Sequence, residues 1–299
     1  MTLDDQAATL RRLAKSQSSG SVTTIDPQRR RVFAITGGKG GVGKSMIAVN
    51  LAALYARRGA RALALDGDLG MADLNLLLGL APTKSLLDVL QGTPIEEILL
   101  EAHGVHLLPA LNGSFQLANI DASAREVLFT AVDSLSERFN TLVIDTGAGI
   151  GENTMAFASA AADVIIVATP EPLSIADAYA CLKVLATRHG LTHAFLLPNT
   201  VRSPSEGEEM IARLKAIVDR FLGIAITPLP SIPFDPTVRV AAAAGVPLVM
   251  HNPDAPASRA IKKIAQRIDA LSQSEQGSGE AQRQWLRRMF DFAAQKQTP

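Results

Sequence analysis

From residue 32 onward, short apolar runs alternate with stretches of helical spacing. The runs at 32–36, 62–66, 105–109, 141–145, 164–169, 194–199 and 224–229 are nearly continuous in Val, Ile, Leu and Ala. Such runs mark strands covered on both faces, as in parallel sheets. Residues 44–58, 122–138, 173–188 and 206–221 carry helical patterns between them, and 257–271 reads as a closing helix. Strand–helix alternation of this kind predicts an α/β fold, a mainly parallel, doubly wound sheet. Flanking helices are expected at both ends. Leu3, Ala7, Leu10 and Ala14 share one stripe near the start, and 282–296 returns to helical periodicity. The polar stretches 16–31 and 272–280 read as tethers. The expected organisation is therefore a leading segment 1–31, a core 32–271 and a tail 272–299.

Composition narrows the chemistry. Lys and Arg balance Asp and Glu at 29 each, so no global field favours nucleic acid, and any such contact must come from a local patch. The single cysteine, Cys181, excludes an intramolecular disulfide and any multi-cysteine metal site within one chain. It lies in an apolar helical run and is expected to pack rather than react. The first fifteen residues are polar and charged rather than an apolar leader, and no uncharged run reaches membrane-spanning length. The expected compartment is the cytoplasm.

The sharpest motif is Gly38-Lys39-Gly40-Gly41-Val42-Gly43-Lys44-Ser45, followed by Met46, between the run 32–36 and a helical stretch. Glycines let backbone N–H groups converge on phosphate oxygens at a helix N-terminus. A lysine at Lys44 reaches the β- and γ-phosphates, and a hydroxyl at Ser45 suits Mg²⁺. ATP or ADP with Mg²⁺ is the expected ligand. Asp145, ending the run 141–145, is placed to hold the metal through water. Asn199, after the run 194–199, offers the donor and acceptor that an adenine edge needs.

The second lysine, Lys39, makes the loop resemble the deviant Walker A box of the MinD/ParA superfamily of P-loop NTPases. That resemblance implies a homodimer formed with ATP, in which Lys39 reaches the partner's phosphates. It makes Lys39, Lys44 and Asp68 the catalytic set, with Asp68 orienting the attacking water and Asp66 supporting the metal site with Ser45 and Asp145. It also places adenine near Asn199 and the segment Pro233, Phe234 and Asp235. Two-cysteine cluster ATPases of the superfamily need thiolates that this chain lacks.

Within the superfamily, residues 65–80 closely resemble the flagellar-number branch called FlhG or FleN. Asp5, Gln6, Ala7, Leu10 and Arg11 match that branch's N-terminal motif, which implies stimulation of an FlhF-type GTPase. Flagellar C-ring components or a flagellar transcription regulator are further partners that it implies. At the other end, Trp285, Leu286, Met289 and Phe290 share one helical face, with Arg283, Arg287 and Lys296 supplying charge. Such a helix suits the anionic inner face of the cell membrane, although a helix packed on the core has the same pattern. The resemblance implies control of flagellar number or placement by a switch ATPase. A MinD-like division-site role or ParA-like DNA partitioning are the alternatives, and a basic face would mark the latter.

Overall fold

The computed structural model describes residues 29–67, 73–109, 122–135 and 137–271. The expected leading helix, with Asp5, Gln6, Ala7, Leu10 and Arg11, falls outside the described residues. So do Asp68 and the tail with Trp285, Leu286, Met289 and Phe290.

Eight strands form one sheet in the order β3-β4-β2-β5-β1-β6-β7-β8. They are β1 (Arg31–Thr36), β2 (Ala62–Gly67), β3 (Leu100–Ala102), β4 (Val105–Leu108), β5 (Thr141–Thr146), β6 (Asp163–Ala168), β7 (His193–Pro198) and β8 (Ala225–Pro228). All pairings are parallel except the short hairpin of β3 with β4. Each expected run became a strand. The extra strand, β3, is three residues long with a charged Glu101 at its centre, too short and too polar to leave an apolar signal.

The helices are α1 (Lys44–Arg57), α2 (Leu74–Leu77), α3 (Leu86–Leu90), α4 (Ala122–Leu135), α5 (Glu152–Ala160), α6 (Pro172–His189), α7 (Pro204–Phe221), α8 (Thr237–Ala243), α9 (Leu248–His251) and α10 (Pro256–Leu271). The long ones α1, α4, α6, α7 and α10 match the expected stretches to within a few residues, and α5 was not expected. The short ones α2, α3, α8 and α9 span too few turns to show a period.

Strand alternation sorts the core into two layers. Val32 and Ala34 of β1 face one apolar cluster with residues of α3 to α7. Phe33 and Ile35 face the other, shared with α1, α2, α8, α9 and α10. At the amino edge of the sheet, the two ends of the described core are joined by charge. Asp269 of α10 accepts from Arg31 Nε at 3.0 Å, Arg58 NH1 at 3.1 Å and the Tyr55 hydroxyl at 3.2 Å. Arg29 NH1 donates to the Asp269 carbonyl at 2.7 Å. Burial pushes the Tyr55 phenol far above its ordinary value, with the Asp269 charge adding to the rise, so it stays a donor.

Arg31 is 3% exposed, so removing its carboxylate leaves a buried charge without its counter-ion. Asp269→Ala is expected to destabilise the fold by about 2–4 kcal/mol. The check is urea unfolding followed by circular dichroism, in which Asp269→Asn should recover part of the loss.

Candidate functional site

The loop after β1 closes into the N-terminus of α1 at Gly43, whose φ of 95° lies in the left-handed region that favours glycine. Neither a side-chain cap nor an acidic residue occupies the first turn of this 14-residue helix. Its leading N–H groups are therefore available to an anion, which is what a phosphate cradle requires. Lys44 is buried at the base of the loop, with Nζ 3.5 Å from the Lys39 carbonyl.

Much of the loop's glycine requirement comes from the protein itself. A Cβ at Gly38 would run into the Asp177 carbonyl of α6, and one at Gly43 into the Asn199 amide. By contrast, a Cβ at Gly40 would only touch the Ala148 methyl at 3.8 Å, and one at Gly41 would meet open space. Asn199, 1% exposed, donates from Nδ2 to the Val42 carbonyl at 2.8 Å and accepts from the Thr200 N–H at 2.9 Å. This side chain holds the P-loop from below.

The two segments expected near a base are zipped together. Val201 bridges Pro233, Ile232 donates to the Pro198 carbonyl, and Phe234 donates to the Val201 carbonyl. Phe234 is 60% exposed, whereas Asp235 is buried. Burial raises the Asp235 carboxyl, but hydrogen bonds from the Thr237 hydroxyl and from the Ala257 and Thr237 N–H groups outweigh it and leave it below the usual range. Its carboxylate clips the starts of α8 and α10 together.

Asp66 and Asp145 are register partners on β2 and β5, both buried and both on the α1 side of the sheet by strand alternation. Asp66 Oδ2 accepts from the N–H groups of Asp73 and Leu74 at 3.0 and 3.2 Å. It thereby anchors the far end of the segment that contains Asp68. Together with the hydroxyl of Ser45 in the first turn of α1, these buried carboxylates offer oxygen donors only, the chemistry that suits a hard cation such as Mg²⁺.

Sequence reading missed Glu171. Lys39 Nζ lies 2.7 Å from its Oε2, a contact across 132 residues. Hydrogen bonding to Glu171, then its charge, raises the Lys39 ammonium above its ordinary value. The turn that presents Glu171 is held by Ser174 Oγ, which accepts from the Thr169 N–H at 2.9 Å. Asp66 and Asp145 sit at the carboxyl ends of parallel strands, and Glu171, three residues past the end of β6, reaches the same edge of the sheet. Leu173 and Ile150 on the same rim are 70% and 49% exposed.

A family profile described as ParA, NUBPL iron-transfer P-loop NTPase, matches residues 28–269. The antiactivator FleN of Pseudomonas aeruginosa is 40% identical over 242 residues, 80% of this chain and 86% of that protein. The flagellum site-determining protein YlxH of Helicobacter pylori is 38% identical over 186 residues, 62% of this chain and 63% of that protein. Among solved structures, the septum site-determining protein MinD of Pyrococcus horikoshii, complexed with Mg-ADP, superposes with a TM-score of 0.64 at 25% identity. That match covers 82% of this chain and 98% of that one.

Iron transfer does not fit this chain. Cys181 is its only cysteine, and it is fully buried beside Met155. Burial pushes its thiol up to about 11, so no accessible thiolate exists to hold iron. The profile spans most of the sequence, and FleN aligns over most of its own length, on a parallel sheet with the two-lysine loop at its carboxyl edge. The chain belongs to the ParA/MinD family of P-loop NTPases.

Proposed function

We propose that this protein is an ATP-dependent, dimerising switch ATPase that controls flagellar number or placement. The observation that carries the reading is the uncapped start of α1 beneath a glycine loop bearing Lys39 and Lys44. The likeness to FleN and YlxH supports the flagellar assignment over division-site or partitioning roles.

In this reading Lys44 binds the β- and γ-phosphates of its own ATP, and Ser45 with Asp145 holds hydrated Mg²⁺. The metal supplies neutralisation of phosphate charge. Phe234 and Pro233 flank the base, with Asn199 linking base site to phosphate loop. Asp68 orients water. Lys39 serves the partner's phosphates, and to do so it must leave Glu171 of its own chain. An exposed salt bridge costs little to exchange, which suits a contact that is broken when a dimer forms. The exposed Leu173 and Ile150 on the same rim give that dimer an apolar contact.

Outside the core, residues 1–31 form a partner-activating segment and tether, and 272–299 a linker and amphipathic membrane-targeting helix. One such helix binds marginally, whereas two on a dimer add avidity and make attachment nucleotide-dependent. The protein then cycles between a membrane-bound ATP dimer and a cytosolic monomer. The leading segment stimulates an FlhF-type GTPase. A flagellar C-ring component or transcription regulator reads the state of the switch.

Lys44→Ala is expected to abolish binding of a fluorescent ATP analogue, while Lys39→Ala retains binding and loses ATP-dependent dimerisation by light scattering. A normal dimer in the Lys39→Ala protein would refute the role in trans.

Asp68→Ala should lower hydrolysis by about a hundredfold or more with little change in nucleotide affinity, because water positioning acts on the transition state. Phosphate release and equilibrium titration separate the two quantities.

A synthetic peptide of residues 1–15 should raise GTP hydrolysis by an FlhF-type GTPase, and Gln6→Ala in the peptide should blunt it. An unmoved GTPase rate removes the flagellar reading's most specific support and returns division-site and partitioning roles to contention.

A further inference from the structure

The balance of charge over the whole chain conceals a segregation in space. On α10, Arg259, Lys262, Lys263 and Arg267 share the outward stripe, while Ile261, Ile264, Ala265 and Ile268 face the core. The one acid of this helix, Asp269, is turned to Arg31 and Arg58. Arg57, at the end of the neighbouring α1, and Arg61, in the turn after it, are exposed beside this stripe. The contacts of Arg57, Arg259 and Lys262 are to the backbone carbonyls of Val249, Asp254 and Pro253. Among the described residues none of these six cations forms a salt bridge, and Arg259 acts on a carboxylate only at longer range, its charge helping to hold the Asp235 carboxyl down. On the other layer, α7 interleaves Arg213 and Lys215 with Glu209 and Asp219 as ion pairs. The positive field is therefore concentrated on the α10–α1 side.

We propose that this basic face of the folded core docks on an anionic bilayer and forms a second membrane contact beside the terminal helix. The proposal rests on the reading that residues 282–296 attach to membrane. Continuity of the chain favours lipid over other polyanions. The basic stripe runs to the end of α10 at Leu271, and only residues 272–281 separate it from the amphipathic segment. Ten residues span at most about 35 Å when fully extended, so a tail inserted in a bilayer holds the end of α10 near the lipid surface. Cations brought within a Debye length of anionic headgroups attract them, whereas the same charges in bulk salt are screened. A short amphipathic helix that binds weakly alone gains the second signal that stable attachment needs.

The test uses the full chain with MgATP, sedimented with vesicles of equal parts phosphatidylglycerol and phosphatidylcholine. Lys263→Gln/Arg267→Gln should lower partition onto these vesicles by about twenty-five-fold, at roughly fivefold per cation near an anionic leaflet. Binding of the fluorescent ATP analogue should be unchanged. Lys183→Gln/Arg188→Gln removes the same charge from α6 on the other layer and should partition as wild type does. Undiminished partition of the α10 variant overturns the proposal, and so does an equal loss in the α6 control. Trp285→Glu separates the two readings. If it sediments normally while the α10 variant does not, the terminal-helix reading falls and the basic face stands. If Trp285→Glu alone is released, the basic face falls and the helix reading stands. A random-sequence DNA duplex in a mobility shift supplies the last arm. Loss of DNA retention by the α10 variant, with vesicle binding intact, would make this face a nucleic-acid surface and overturn the lipid assignment.

Discussion

Parallel pairing around β1 is the constraint from which the site follows. In a parallel sheet every strand delivers its carboxyl end to the same edge. β2, β5, β6 and β7 all run with β1, so Asp66, Asp145, Glu171 and Asn199 arrive at the edge where the P-loop turns into α1. The register is specific enough to set Asp66 opposite Asp145. Residues far apart in sequence thus share one site without any of them contacting another directly along the chain.

The loop at that edge is shaped from outside as well as by its own glycines. α6 fills the space that a side chain at Gly38 would need, and Asn199 fills the space at Gly43 while holding the Val42 carbonyl. A cradle fixed by its surroundings meets its ligand with little ordering cost, which favours tight binding. Lys39 differs in kind from the rest of the loop. Its ion pair with Glu171 is exposed, a weak contact compatible with exchange, whereas Lys44 is buried at the loop's base.

The amino edge of the sheet has the opposite character. There, Arg31, Arg58, Tyr55 and Asp269 lock the start of β1 to the end of α10. Both terminal segments therefore leave the described core near one another, with the strand length between them and the P-loop. The P-loop and the two ends of the described core thus occupy opposite edges of one sheet, and α1 runs between them as the shared element.

Much of the core was legible in the sequence because its signals are local. Continuous apolar runs announced β1, β2 and β4 to β8, helical spacing announced the long helices, and the glycine–lysine spacing announced the phosphate loop. β3 and the short helices α2, α3, α8 and α9 were not legible, since a period needs more residues than they contain. The sequence by itself determined strand identity, the two-lysine loop and the carboxylates at strand ends, because each is a property of neighbours along the chain. Only the tertiary structure decided that Glu171 holds Lys39, that Asn199 props the P-loop, and that Asp235 joins the starts of α8 and α10. Those are contacts across tens to hundreds of residues, created by strand order and layer packing, which no local pattern encodes.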